Sequence, residues 1–479
     1  MSNPPASARS RHSIAAKSLL ISGGMLLVPI PGITSDRPDA TVSSLPATAD
    51  ISFSREPNPV DLQMLLGYYR AAIEDMQYEE AETAAKRRIE HLLQAGTSSG
   101  YVMADALIDL AFAQREGRQY EAAIQNYLGA IGILEETDDM LSHRLVAPLR
   151  GIGDSHVASG NADLAVPLYE RALHVSHVNA GPHNFQQVEL LDAMIEAEVK
   201  VGRPDAALAL ADRISLLYAR RYAADSEEML PALWRRAGLL KDMGRYKDER
   251  LVYLDVVRII EKHHGRDSVD LVRPYTMLGR TYLQEVDQVI FRSEPTAQTG
   301  ETYLKRAVEI ARKNNVDVRT RFERLIDLAD YYTILNVQDK ARRHYREAWS
   351  LLSENEEDMA VRSDAFNTMA PLVQPKLDGH ANFGYRSGGD DPDEPAQASG
   401  FMLAQFTINE RGRVTDIEII EADPPEFPEM ATRITRTLRE SVYRPRYENG
   451  DPVKKRKQRM RHDFTYTDRA SAAWQQTEP

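Results

Sequence analysis

The stretch Gly117-Arg118-Gln119-Tyr120-Glu121-Ala122-Ala123-Ile124-Gln125-Asn126-Tyr127-Leu128-Gly129-Ala130 decides the fold of most of this chain. It reads as the turn and second helix of a helical hairpin. Gly117 ends a first helix, and Tyr120 wedges into the turn. Ala123 and Ala130 are small enough for two helices to touch, and Tyr127 fills the space between them. The arrangement recurs as Tyr78, Ala81 and Ala85, and as Gly160, Ala165, Tyr169 and Ala172. It returns as Gly202, Ala207 and Ala211, as Gly244, Tyr246 and Tyr253, and as Ala341, Tyr345 and Ala348.

Spacing turns this likeness into a repeat. Counted from three residues before the first-helix leucine, units start at Leu62, Ala104, Val146, Val188, Leu230 and Val272, each 42 residues after the last. A seventh begins near Phe322, after an insertion around 286–298. The small-and-aromatic pattern resembles tetratricopeptide repeats, whose usual period is about 34 residues. Gly181-Pro182-His183-Asn184-Phe185 and His264-Gly265-Arg266-Asp267-Ser268 sit at matching places between units. They resemble the loops of the 42-residue variety found in kinesin light chains. The resemblance implies an all-α superhelical solenoid of seven repeats over residues 60–370, with a concave groove and each unit stable only against its neighbours.

Composition narrows the function. The 479 residues allow two or more domains, and a net charge of −13 argues against a general nucleic-acid binder. With no cysteine, the chain has neither disulfides nor thiolate chemistry, which suits an extracytoplasmic place. Residues 1–17 carry Arg9, Arg11 and Lys17 and no acid; residues 18–35 are uncharged around Leu19-Leu20-Ile21 and Met25-Leu26-Leu27-Val28. That is the pattern of a secretory signal peptide. An uncleaved N-terminal membrane anchor is the alternative, although glycines and prolines break the run short of the about 20 apolar residues a span needs. Residues 36–59, rich in Ser, Thr, Pro and Ala, read as a disordered tether.

Residues 371–399 hold many Pro, Gly and Asp and read as a linker. After Ser399 the period becomes two. Met402, Ala404, Phe406 and Ile408 share one strand face, Asn409-Glu410-Arg411-Gly412 turns the chain, and a second strand runs Val414 to Ala422. A helix is expected from about Pro428 to Val442, burying Met430, Ile434, Leu438 and Val442, and then a long strand to Tyr466. Residues 400–467 resemble the C-terminal domain of TonB-family energy transducers. Phe406-Thr407-Ile408 with Gly412-Arg413-Val414, then Tyr443-Arg444-Pro445, then Asn449-Gly450 with Pro452-Val453 carry the likeness. It implies a small α+β domain of order β-β-α-β whose last strand can accept a partner peptide. Residues 468–479 form a tail.

No nucleophile elbow, phosphate loop, zinc-protease motif or kinase signature is present, so neither catalysis nor a cofactor is expected. His174, His177 and His183 match no zinc spacing. By the repeat register, the groove is lined by Arg150 in repeat three, Glu189, Asp192 and Glu196 in repeat four, Trp234 and Lys241 in repeat five, and Arg273 and Arg280 in repeat six. Such a face suits an extended peptide of mixed charge; the alternative is that these are solvated charges alone. Lys454, Lys455, Arg456, Lys457, Arg459 and Arg461 make the final strand basic, as charge that blocks unwanted strand pairing and a contact for acidic partners. The expected molecule is a non-enzymatic adaptor in the periplasm of a Gram-negative bacterium. Its partners are proteins or peptides, outer-membrane receptors or envelope proteins among them, and not nucleic acid. The alternative is an inner-membrane-anchored transducer supporting outer-membrane transport.

Overall fold

The computed structural model describes residues 59–288, 295–352, 356–375, 377, 380–381, 397–423 and 427–467. The signal or anchor, nearly all of the tether and the tail lie outside these residues. The chain forms two compact units, residues 1–239 and 240–479.

In the first unit, antiparallel helices alternate: α1 Pro59–Glu74, α2 Tyr78–Gln94, α3 Tyr101–Glu116, α4 Tyr120–Thr137, α5 Val146–Ala158, α6 Ala162–Ala180, α7 Gln187–Lys200 and α8 Pro204–Arg221, with most of α9, Leu230–Asp242. The even-numbered helices start 42 residues apart, so the sequence period is the period of the hairpin. Packing explains it. Ala81, Ala123, Ala165 and Ala207, each one period apart, are wholly buried where helices meet. Tyr127 and Tyr169 are also buried, and their rings lie over Gly151 and Gly153 of α5, where any Cβ would clash. Alanine and glycine bring the backbones together, and the tyrosines fill the remaining volume at close-packed density.

Gly117 ends α3 as the sequence reading has it, and the left-handed conformation of the turn falls on the next residue. Gly117 has an ordinary φ of −75°, and Arg118 is the left-handed residue at φ +63°. Met76, Gly160, Gly202 and Gly244 occupy the same place in other repeats, at φ +57°, +89°, +82° and +68°. A left-handed residue there lets the next amide reach back five residues, as Gln119 N does to Gln114 O at 2.7 Å.

The second unit continues with α10 Tyr246–His264, α11 Val272–Gln288, α12 Pro295–Lys313, α13 Val318–Ile334, α14 Gln338–Leu351 and α15 Glu356–Asn367. Then come β1 Pro371–Val373, β2 His380–Ala381, β3 Gln397–Ile408, β4 Val414–Asp423, α16 Pro428–Glu440, β5 Val442–Tyr443, β6 Arg446–Glu448, β7 Asp451–Val453 and β8 Lys455–Thr467. The main sheet has the order β2-β8-β3-β4. β2 runs parallel to β8, while β3 is antiparallel to both its neighbours. One face is buried under α16, where Met402, Ala404, Phe406 and Ile408 meet Met430, Ile434 and Leu438.

Two expectations are corrected. The helix stops at Glu440, and Val442 is buried instead through β5, which pairs with β1. Within the expected linker, β1, β2 and the start of β3 are strands of the fold, their backbone groups satisfied by pairing. The basic strand β8 is covered by β2 only at its C-terminal end, through Thr465 and Tyr466, and residues 455–464 have no strand on their outer side among the described residues.

Candidate interaction surface

First helices carry most of the charged positions named from the sequence, and in the first unit these join across repeats. Arg115 of α3 bonds Asp154 of α5 at 2.7 Å. Arg150 lies 3.7 Å from the same carboxylate and reaches Glu189 of α7 at 2.8 Å. Asp192 pairs with Arg235 of α9, and Glu196 with Lys200. The steps of 39 residues are one repeat less one helical turn, which sets opposite charges on neighbouring helices face to face. Burial pulls the Arg235 guanidinium down to about 10. Asp192 and Glu196 are thus largely buried participants, whereas the Glu189 side chain is 70% exposed. Trp234 is half-buried.

In the second unit, Lys241, Arg273 and Arg280 are exposed. Arg280 donates through Nε to Asp327 of α13 at 3.2 Å, and Arg324 approaches the same carboxylate at 3.2 Å. Burial pushes the Asp327 carboxyl up, against the pull of the two arginines.

The strongest polar contact of this unit escaped the sequence reading. Arg444, beside β5, donates through Nε and Nη2 to the two oxygens of Asp330 at 2.9 and 2.7 Å. Its Nη1 also donates to Ala365 O at 3.0 Å. Tyr345 donates to Asp330 at 2.6 Å. Around this core, Tyr447 meets Tyr345 and Phe366 at ring distances of 5.2 and 5.0 Å, and Arg346 bonds Asp451 at 2.6 Å. Gly412, at φ +75°, brings the β3–β4 turn against Thr333 of α13. The residues between Tyr443 and Asp451 therefore hold the strand domain on the last helical hairpin. A recurrent signal was available: Tyr169 donates to Asp154 at 2.7 Å across the same 15-residue step that separates Tyr345 from Asp330.

Of the basic run, Lys454, Arg456, Lys457, Arg459 and Arg461 are exposed. Lys455 is half-buried and donates to Asn367 O. Arg461 stacks on Phe401 at 3.9 Å and pairs with Asp463 at 2.9 Å. His177 is engaged by Arg213 at 2.9 Å. Among the described residues, no group of three or more side chains is arranged to hold a metal ion, and no helix is long and apolar enough to cross a membrane.

Among solved structures, the chain is similar to a kinesin light chain from Podosopora anserina with nearly identical TPR-like repeats, at 17% identity over 43% of this chain and 97% of that one, TM-score 0.38. It is similar to the C-terminal part of a TPR repeat-containing protein from Cytophaga hutchinsonii, at 13% identity over 61% of this chain and 97% of that one, TM-score 0.43. The TPR2AB domain of yeast Sti1, in complex with pHSP90, is similar at 13% identity over 64% of this chain and 96% of that one, TM-score 0.23. No family model and no curated protein matches the chain.

Proposed function

We propose that this chain is a non-enzymatic adaptor of the cell envelope. It binds an extended protein segment on the first-helix face of its repeats, and a second envelope component through its C-terminal domain. One observation supports the reading above others: the uninterrupted row Arg115, Asp154, Arg150 and Glu189 across three successive repeats. Alternating charges held on rigid helices give a peptide of mixed charge a fixed pattern to match, and electrostatic match sets partner choice. The periplasmic placement rests on the sequence of residues 1–35, and the TonB-like role on the motifs between Phe406 and Val453.

Affinity capture from envelope extracts tests it. Glu189→Lys with Lys241→Glu changes two exposed charges, so the fold should persist while captured proteins are lost. Identical captured sets for both forms would sink the proposal. N-terminal sequencing of the mature protein decides its anchorage, since a mature chain that starts after the apolar run within residues 18–35 eliminates the anchored transducer.

A further inference from the structure

β4 is an outer strand of the main sheet, with no strand on its outer side among the described residues. Its ten residues include Asp416, Glu418, Glu421 and Asp423 and no Lys or Arg. Strict alternation would turn some of these carboxylates into the core. Two bulges prevent that. Between Gln405 and Thr407 the pairing advances two residues on β3 but three on β4, with Asp416 at φ +52°. Between Leu403 and Ala404 it advances one against two. Val414, Ile417, Ile419 and Ala422 therefore turn inward, and all four carboxylates stay exposed. Glu418, Glu421 and Asp423 join no ion pair among the described residues. Directly beside the edge lies a groove of about 540 Å³, with Met402, Ile419, Ile420, Ala422, Phe427 and Ala431 in its walls.

Charge and bulges alone would serve to keep an edge from pairing. An apolar groove opening beside that charge serves no such purpose. We propose that the β4 edge receives an extended segment of a partner protein in which basic residues alternate with apolar ones. The segment extends the sheet, its basic side chains meet Glu418, Glu421 and Asp423, and one apolar side chain enters the groove. Because the bulges leave only short regular runs, at Ile417–Ile419 and Glu421–Asp423, charge and the groove carry the affinity rather than a long backbone ladder. This site is independent of the repeat face and of the basic strand.

A fluorescein-labelled peptide of alternating lysine and valine, titrated into the full chain and followed by anisotropy, tests the proposal. Saturable binding is expected that weakens with salt. Glu418→Gln with Glu421→Gln should weaken it by about tenfold, as expected for two surface charge contacts. Ala431→Leu should weaken it by filling the groove, and a lysine–serine peptide should bind less well than the lysine–valine peptide to the unaltered chain. Equal binding by the double glutamine variant overturns the proposal, as does equal binding of the two peptides or no saturable binding at all. Sedimentation showing that the chain alone dimerises, and that Glu418→Gln with Glu421→Gln abolishes the dimer, would make a second copy the occupant and overturn it too.

Discussion

Arg444 and Asp330, 114 residues apart in the chain, face each other through two parallel hydrogen bonds. The same carboxylate accepts from Tyr345, as Asp154 accepts from Tyr169 in repeat three. There, the cation on the carboxylate is Arg115, from the preceding repeat. At the last repeat it is supplied by the strand domain. Burial disfavours the Arg444 charge, but the Asp330 carboxylate outweighs that and raises its pKa. The strand domain thus closes the second unit by using a contact that the repeats already make with one another.

Removing Arg444 leaves the Asp330 carboxylate largely buried without its cation. Arg444→Ala should cost about 3 kcal/mol, the usual penalty for breaking a buried pair from one side. Arg444→Lys should restore part of it, since an ammonium makes no two-pronged contact. Thermal unfolding of the full chain, with hydrogen exchange over 442–453, is the check. Unaltered exchange there in the alanine variant would show that the pair does not hold the domain.

Gly151 is where the Tyr127 ring rests, and an added methyl would fall within the ring. Gly151→Ala should therefore destabilise the first unit by about 1–3 kcal/mol, the cost of overpacking, despite alanine's better helix propensity. Adding Tyr127→Leu should recover part of the loss. A melting temperature raised by the single change would mean that propensity wins over packing.

Glu249 stands in α10 at the place held by Ala123, Ala165 and Ala207 in other repeats, and it is 2% exposed. Burial lifts its carboxyl from about 4.5 to about 7, although Tyr253 and Lys241 pull it down. With the folded value above the unfolded one, its stabilising contribution is complete below about pH 4.5 and is lost as pH rises through about 7. At about pH 8 the ionised carboxylate should cost on the order of 3 kcal/mol relative to acid conditions. Glu249→Gln should flatten the fall in melting temperature between about pH 5 and about pH 8. An equally steep fall in the variant would place the titrating group elsewhere.

The repeats were legible because one small-and-aromatic pattern returns at a fixed spacing, and such a pattern is local. The inward face of β3 was legible for the same reason, through strict alternation at Met402, Ala404, Phe406 and Ile408. What escaped depends on partners far away in sequence. Val442 fits the period of α16, yet β1 captures it as a strand. The bulges at Asp416 and near Lys457, φ +55°, change which side chains face inward, and only the cross-strand register reveals them. The charged first-helix residues were identified by position, but not the engagement of Arg115 with Asp154, Arg150 with Glu189 or Asp192 with Arg235, because each of these pairs is made between two repeats. The hold of Arg444 on Asp330 joins two domains and has no periodicity to betray it.

The turn between paired helices yields the last prediction. Six described repeats place a left-handed residue at one position, three of them using glycine and the last Asn336. Met76 and Arg118 adopt the same conformation with a Cβ, which costs about 1–2 kcal/mol in the left-handed region. Arg118 has no ion pair among the described residues, so little is lost by removing its side chain. Glycine there is offset in part by its greater freedom in the unfolded chain, worth roughly 0.5–1 kcal/mol. Arg118→Gly should thus stabilise the first unit by up to about 1 kcal/mol, and Arg118→Val should destabilise it. The glycine already at 117 does not meet this need, because its φ is an ordinary −75°. Chemical denaturation of the three forms measures the order. Arg118→Gly less stable than the parent chain would mean that the left-handed residue of this turn is misplaced by one.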